Sequence, residues 1–386
     1  MRYPKNVSTF QTKRHKSKTY PMMMMMIFII ILVLTCYGID ASHNDWSDDG
    51  VKVKSDDGKM NAVVATGISS NLSSVVNFVR KDIPEPSLTE VLIKVRASSV
   101  NPVDWKIVEE KGLPLRFPHT LGFDVSGEIV KKGGLTSNRL KVGDQVWADL
   151  GKTWLLSGGE LGAYAEYAVA DESQVGLKPK SMNFTDAASI PLVGLTTLEA
   201  YRKIQDVGVR FENATVVVTS GSGGTGLIGI QMAKAYNARK VVTACGPTHQ
   251  SYCASLGADV VVDYTKGKTA LWDALENDSV DIVYDNFGAN GTADLAMPKL
   301  GSNSAYLFLP GKGGSVSKHP KTGVHQINFG LADSSHYSDL DALAKLVDQG
   351  LLHSHVSELF SLNSTLNALK TSEAGGVVGK LGIYVQ

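Results

Sequence analysis

Residues 215–236 have the sequence TVVVTSGSGGTGLIGIQMAKAY, and this stretch decides the fold. The β-branched and small residues up to Ser220 are typical of a buried parallel strand. A glycine-rich turn follows at 221–226 and leads into a helical pattern of apolar residues. A GxGxxG between a strand and a helix indicates a dinucleotide-binding turn, and an ordinary glycine-rich turn is the alternative.

The physical reason is local to the turn. Glycines let the backbone approach a pyrophosphate, and the N-terminus of the following helix offers free N–H groups and the positive end of a dipole. The sequence therefore predicts that the whole turn contacts a nucleotide, through Ser220, Gly221, Ser222, Gly223, Gly224, Thr225 and Gly226.

The pattern on either side of this turn divides the chain. Short strands broken by Gly, Pro and Ser run through residues 60–182 and predict an antiparallel β-barrel or sandwich. Alternating strands and helices in residues 183–324 predict a doubly wound parallel sheet. Residues 325–386 add an amphipathic helix and a last strand, which we expect to rejoin the first domain. The active site is then expected in the cleft between the domains.

Composition excludes some classes of function. The chain has 386 residues, a formal net charge of zero and 43% apolar residues, which fits an α/β enzyme and does not favour nucleic acid as a partner. Cys36, Cys245 and Cys253 are too few and too irregularly spaced for a zinc site or a disulfide framework. The nine histidines are scattered, so no metal site is predicted.

Residues 1–38 resemble a targeting segment. Basic residues without acids precede an apolar run, MMMMMIFIIILVL at 22–34, and small residues follow it. A signal peptide is the favoured interpretation. A signal-anchor that associates with a membrane through 22–37, a plastid transit peptide, and a misassigned start before Met60 are the alternatives. Residues 39–59 are acidic and predict a linker.

Nine short runs occur along the chain in this order: SSVNPVDWKI, FPHTLGFDVSGEIV, KVGDQVWA, GAYAEYAVA, ASIPLVGLTTLEAY, VTSGSGGTGLIGIQMAKAYNA, SLGADVVVDY, DIVYDNFG and GKLGIYV. Together they resemble the medium-chain dehydrogenase/reductase superfamily, and within it the zinc-free quinone oxidoreductases and alkenal/one oxidoreductases. The resemblance implies a GroES-like β-barrel domain beside a Rossmann domain, a reduced nicotinamide cofactor, and quinones or α,β-unsaturated carbonyls as small-molecule substrates.

The resemblance implies that the NPVDWK run lines the substrate pocket. Asn101 and Lys106 would then donate hydrogen bonds or charge to the enolate formed by hydride addition, and Trp105 would form an apolar wall. The alternative is a turn in which Asn101 and Asp104 hydrogen-bond to the backbone. Zinc-dependent relatives place a His where this chain has Phe123, which cannot ligate a metal.

On the cofactor side, Thr196 lies in a helix that by resemblance faces the nucleotide. The acid that would bind the ribose diol of NAD is absent, since the second strand ends in Ala-Cys-Gly at 244–246. We therefore expect NADPH in preference to NADH. Phosphate contacts are expected from Thr248, His249 and Tyr264, and backbone contacts from the loops at Asn286 and Leu309.

The sequence therefore predicts a zinc-independent, NADPH-dependent reductase of quinones or enones. A non-catalytic NADPH-binding protein and an enoyl-thioester reductase are the alternatives. A secreted reductase would have poor access to NADPH, so the leader leaves a plastid or cytoplasmic location open. The resemblance is compatible with a monomer or a homodimer.

Overall fold

The structure is a computed structural model that describes residues 57–109, 117–157 and 161–386, without the side chains of residues 154 and 155. The predicted leader at 1–38, the membrane-association segment at 22–37 and most of the linker at 39–59 lie outside the described residues. Within the described part of the chain, no helix combines the length and apolarity that a membrane span requires.

The first part of the chain is β-rich, as predicted. A three-stranded sheet has the order β2-β1-β4, and β3, β5, β6, β7 and β8 belong to a larger, mainly antiparallel sheet. Valines, leucines and isoleucines from both sheets fill one core. The elements are β1 (Lys59–Ala65), β2 (Val76–Asp82), β3 (Glu90–Val100), α1 (Pro102–Glu109), β4 (His119–Thr120), β5 (Asp124–Lys132), β6 (Gln145–Asp149), α2 (Gly151–Leu156), β7 (Tyr167–Asp171) and β8 (Val175–Leu177).

The second part confirms the doubly wound parallel sheet. Its strands have the order β11-β10-β9-β12-β13-β14, and every neighbouring pair is parallel. The elements are α3 (Phe184–Ala188), α4 (Pro191–Asp206), β9 (Thr215–Val218), α5 (Gly224–Ala235), β10 (Lys240–Cys245), α6 (Gln250–Ser255), β11 (Val260–Asp263), α7 (Ala270–Asp273), β12 (Val280–Asp285), α8 (Thr292–Ala296), β13 (Leu300–Phe308) and β14 (Val324–Asn328).

The tail rejoins the first part, but later than the predicted boundary. Strand β14 pairs with β13, so the boundary expected after residue 324 falls inside a strand of the parallel sheet. The remaining elements are α9 (Tyr337–Asp348), β15 (Val356–Ser361), α10 (Thr365–Ala374) and β16 (Lys380–Tyr384). Strand β16 pairs with β3 and β15 with β16, which completes the larger sheet.

The strand order determines where the glycine turn lies in the sheet. Strand β9 lies between β10 and β12, and the chain leaves β9 in one direction and returns on its other side. This reversal is the switch point at which open α/β sheets bind ligands beyond the carboxyl ends of the strands. The glycine turn after β9 occupies that position.

Candidate active site

The glycine turn leads directly into the N-terminus of a helix. Helix α5 begins at Gly224, with Gly223 as its N-cap in an extended conformation. The first amide with a partner in the helix is that of Leu227, which donates to the Gly223 carbonyl at 2.9 Å. The amides of the preceding first turn are the groups to which a pyrophosphate binds at a helix N-terminus.

The glycines of this turn differ in whether the surrounding protein leaves room for a side chain. A Cβ on Gly226 would lie 1.7 Å from the Ser220 carbonyl oxygen, and one on Gly221 would lie 2.3 Å from Thr243 Oγ1. A Cβ on Gly223 would meet nothing closer than Ser220 Oγ at 3.6 Å. Gly223 also has φ −79°, which any residue adopts. Protein packing therefore requires Gly226 and Gly221, whereas Gly223 leaves open space beside the helix N-terminus.

Asn286 holds the turn in shape. Its Oδ1 accepts from the Ser220 amide and its Nδ2 donates to the Ser220 carbonyl, both at 3.0 Å. The same Nδ2 lies 3.3 Å from Thr225 Oγ1. Asn286, predicted as a contact of the cofactor, thus bonds the two ends of the glycine turn to the end of β12.

The predicted phosphate-binding residues meet at the end of β10. This strand ends at Cys245, which confirms that no acid stands at its carboxyl end. A Cβ on Gly246 would lie 3.8 Å from the Tyr264 hydroxyl and 3.9 Å from His249 Cδ2. Thr248 Oγ1 and His249 Nε2 are 3.2 Å apart, and Tyr264 is 60% exposed. These polar groups therefore lie together and accessible beyond the end of β10, and their contact with a nucleotide stays a prediction.

Two other predicted cofactor residues lie farther from this group. Thr196 lies in α4 and is nearly buried, and its neighbour Thr197 donates back to the Val193 carbonyl at 2.9 Å. Leu309 follows β13, and its amide donates to the Asp285 carbonyl at 3.0 Å. The structure thus puts the Leu309 loop beside the end of β12, where the Asn286 loop begins.

Asn101 lies in a buried polar cluster. It is fully buried, and its amide donates to Asp104 Oδ2 at 2.7 Å, so that Asp104 caps helix α1 from within its first turn. Its side-chain Nδ2 donates to Asp124 Oδ2 at 2.7 Å, and its Oδ1 accepts from Lys380 Nζ. The NPVD run is therefore a helix start with Pro102 in the first turn, and the Asn101 side chain faces partners in the protein.

Asp124 is the centre of this cluster. Its Oδ2 also accepts from Ser99 Oγ at 2.7 Å and from Lys380 Nζ at 3.2 Å. Its Oδ1 accepts from the amide of Leu192 at 2.8 Å, in the first turn of α4. One carboxylate thus joins the β-rich part of the chain to a helix of the nucleotide-binding part, and the positive end of that helix stabilises it.

Burial shifts the titration of the neighbouring groups. Desolvation raises the pKa of Asp104 to about 7, although hydrogen bonds from the Asn101 amide and from Tyr164 at 2.7 Å oppose this. Burial, with the nearby Asp124 charge, raises the pKa of Asp149 to about 8. Burial also raises the pKa of the Tyr164 hydroxyl. Lys380 is the only cation among these groups in the described residues, so three carboxyls share one positive charge.

Trp105 and Lys106 lie on α1. Trp105 is partly buried against the β-rich core, and its Nε1 donates to Ser372 Oγ of α10 at 3.2 Å. The Lys106 ammonium lies 5.6 Å from the centre of the Trp105 ring. Their contacts are thus with α10 and with each other, and their predicted roles toward substrate stay predictions.

Sequence reasoning missed Lys380. It precedes the apolar run LGIYV, and its side chain is 5% exposed. A lysine at the start of a strand that is otherwise buried was the available signal, because a buried ammonium needs a partner of opposite charge. That partner, Asp124, lies 256 residues earlier in the chain.

The Phe123 side chain carries no atom that could ligate a metal, and the Asp124 carboxylate is bonded within the buried cluster. In the described residues, no three His, Cys, Asp or Glu side chains form a group that could hold a metal. Zinc coordination requires three or four converging N, S or O ligands.

Comparisons with known proteins agree with this architecture. Residues 87–180 match the alcohol dehydrogenase GroES-like domain family, and residues 256–381 match the family described as zinc-binding dehydrogenase. A mitochondrial NAD(P)H oxidoreductase of Danio rerio is 33% identical over 77% of this chain and 84% of its own length. The chloroplast envelope quinone oxidoreductase homolog of Arabidopsis thaliana is 32% identical over 79% of this chain and 93% of its own length.

A solved structure shows the same fold. The quinone oxidoreductase from Coxiella burnetii superposes with a TM-score of 0.71 at 27% identity, over 85% of this chain and 100% of the other. The chain is therefore an oxidoreductase of the nicotinamide-dependent type. It belongs to the medium-chain dehydrogenase/reductase family, with a GroES-like domain and a Rossmann domain.

Proposed function

We propose that this protein is a zinc-independent, NADPH-dependent reductase of quinones or α,β-unsaturated carbonyls. The observation that carries the proposal is the open space at Gly223, beside the first turn of α5, whose N-cap makes no side-chain hydrogen bond. A glycine that the protein itself does not require is explained by the close approach of a pyrophosphate. The bound nucleotide would supply a hydride to the electrophilic carbon of the substrate.

The chain's own residues bind and orient. The first turn of α5 binds the pyrophosphate, and Asn286 keeps that turn in shape. Thr248, His249 and Tyr264 lie where the adenosine end would be held. The Phe123 side chain cannot ligate a metal that would polarise a carbonyl, so stabilisation of the enolate is assigned to hydrogen-bond donors at the substrate, with Lys106 as the predicted one.

The full-length protein tests this proposal directly. Absorbance at the nicotinamide band is followed for NADPH, and separately for NADH, with 9,10-phenanthrenequinone, a short alkenone and an enoyl thioester. We expect NADPH to be oxidised by the quinone or the alkenone. Binding of NADPH without turnover on all three compounds would instead identify a binding protein, and turnover of the thioester alone would identify an enoyl-thioester reductase.

The NADPH preference depends on His249. The His249→Ala variant should raise the KM for NADPH about fivefold, because one hydrogen bond to the additional phosphate is lost, and leave the KM for NADH within about twofold. Steady-state kinetics with both cofactors measures this. His325→Ala, an exposed histidine in β14, is the matched control. Equal changes for both cofactors would contradict a phosphate-specific role.

The relatives from Danio rerio and Arabidopsis thaliana are named as mitochondrial and chloroplast-envelope proteins. This supports an organellar address for the present protein and agrees with a targeting role for residues 1–38, which we retain as a proposal. An organelle that supplies NADPH would remove the conflict that secretion raises.

A further inference from the structure

We infer that Lys380 is a positioning residue for the nicotinamide end of the bound nucleotide, acting through the glycine turn and Asn101. The inference rests on the proposed function, since it assumes that a nucleotide binds over residues 220–226. It concerns a residue far outside the nucleotide fingerprint in sequence.

First, the backbone that precedes Lys380 is bonded to the glycine turn. The Gly379 amide donates to the Ser222 carbonyl at 2.7 Å, and Gly379 forms a parallel bridge with Gly223. Gly379 has φ +65°, and a Cβ there would lie 2.3 Å from the His355 carbonyl oxygen. Only glycine fits, so the start of β16 is fixed against the glycine turn.

The second step is the course of the Lys380 side chain. A Cβ on Gly224 would lie 3.0 Å from Lys380 Cδ, so the aliphatic stem crosses the first residue of α5. The ammonium continues to Asn101 and Asp124 in the β-rich part of the chain. The side chain therefore spans the gap between the phosphate-binding turn and the residues at the end of β3.

The third step is electrostatic. Two of the three Lys380 N–H donors are taken by the described side chains of Asn101 and Asp124. Asp124 in turn binds the first turn of α4 through Leu192. Removing the ammonium would leave the Asp124 carboxylate buried without a counter-charge. It would also remove a hydrogen-bond partner of the Asn101 side chain and weaken the contact of Asp124 with the first turn of α4.

The direction of the side chain decides which half of the nucleotide is affected. The proposed adenosine contacts are Thr248 and His249, which follow β10, and Tyr264, which follows β11. Both strands lie on the side of β9 that is opposite to β12. The Lys380 side chain instead contacts Gly224 of the glycine turn and, in the β-rich part of the chain, Asn101 and Asp124. Lys380 should therefore control the binding of a whole dinucleotide and leave the binding of its adenosine half unchanged.

The test compares two probes by isothermal titration calorimetry on the full chain. NADP⁺ carries both halves and the pyrophosphate, whereas adenosine 2′-monophosphate carries only the adenosine half and no phosphate that would reach the glycine turn. In Lys380→Met we expect NADP⁺ to bind about tenfold more weakly, while the adenosine monophosphate stays within about twofold of wild type. Lys318→Met, which removes an exposed lysine outside the turn, should change neither affinity.

A failure of the Lys380 role and a failure of nucleotide binding give different results. Equal weakening of both probes would show a general loss of structure and overturn the positioning role, as would unchanged NADP⁺ binding. Failure of the wild-type protein to bind either probe would instead overturn the proposed function. If Lys380→Met does not fold, the Asp124→Asn/Lys380→Met pair, which removes both charges, is titrated in its place with the same expected difference between the probes.

Discussion

The Gly223→Ala variant should lose nucleotide binding and keep its fold. Glycine at this position has φ −79° and ψ 169°, which alanine adopts without strain, and the added Cβ meets no protein atom within 3.5 Å. The melting temperature should therefore stay within about 2 °C of wild type, since alanine also restricts the unfolded chain slightly. The methyl group occupies the space that we assign to the pyrophosphate.

The expected loss of affinity is large. A methyl group in a closely packed phosphate site costs a few kcal/mol, so the Kd for NADPH should rise at least about a hundredfold. Nucleotide fluorescence measures the Kd, and calorimetry measures the melting temperature of the same sample. If Gly223→Ala binds NADPH as wild type does, the pyrophosphate does not lie over this turn.

Gly226→Ala is the contrasting variant. Its Cβ would lie 1.7 Å from the Ser220 carbonyl oxygen and 2.9 Å from Asn286 Nδ2, so the backbone must shift. We expect this variant to lose both stability and binding. The pair therefore distinguishes a glycine that the ligand needs from a glycine that the protein needs, although the two residues are three positions apart in one motif.

The local part of the site could be predicted from sequence because its determinants are neighbours in the chain. The strand, the turn and helix α5 form one continuous stretch, and the absence of an acid after β10 is visible about twenty residues later. The parallel sheet followed from the alternation of strands and helices, since parallel strands need such crossovers. These features needed no knowledge of distant contacts.

The buried cluster could not be predicted in the same way. Asn101 and Lys380 are 279 residues apart, and their contact exists only because β16 returns to pair with β3. Asn101 was expected to face the substrate, but whether an amide faces a ligand or a neighbouring side chain depends on that long-range pairing. Strand β14, which begins at Val324, joins the parallel sheet through its pairing with β13, and this pairing is likewise a contact that the sequence does not display.

The Asp149→Asn variant should be more stable than wild type at pH 8 and similar to it at pH 4. The carboxyl of Asp149 is 5% exposed, and its pKa rises from 3.8 to about 8 on folding. The native state therefore binds more protons than the unfolded state between these values. The free energy of unfolding then falls as pH rises through this range, because stability increases with pH only where the unfolded state holds more protons.

Asparagine reproduces the neutral acid at every pH. Its amide oxygen can accept from the Gly151 amide as Asp149 Oδ1 does at 2.9 Å, and it carries no charge to oppose Asp124 or Asp104. Below pH 4 both proteins have a neutral group here, so little difference is expected. At pH 8 the wild-type protein is destabilised, because Asp149 must either carry a negative charge among other carboxylates or hold a proton that it loses on unfolding. The variant has neither cost.

Thermal unfolding at pH 4, 6 and 8 measures the difference. We expect the variant to gain on the order of 5 °C in melting temperature at pH 8, with a smaller gain at pH 6. Asp206→Asn, an exposed carboxyl at the end of α4, should show no such trend. A gain that is the same at all three pH values would mean that the amide packs better and that ionisation of Asp149 is not the cause. The same sign applies to Asp104, whose pKa is raised to about 7, so the wild-type cluster should itself lose stability between pH 4 and pH 8.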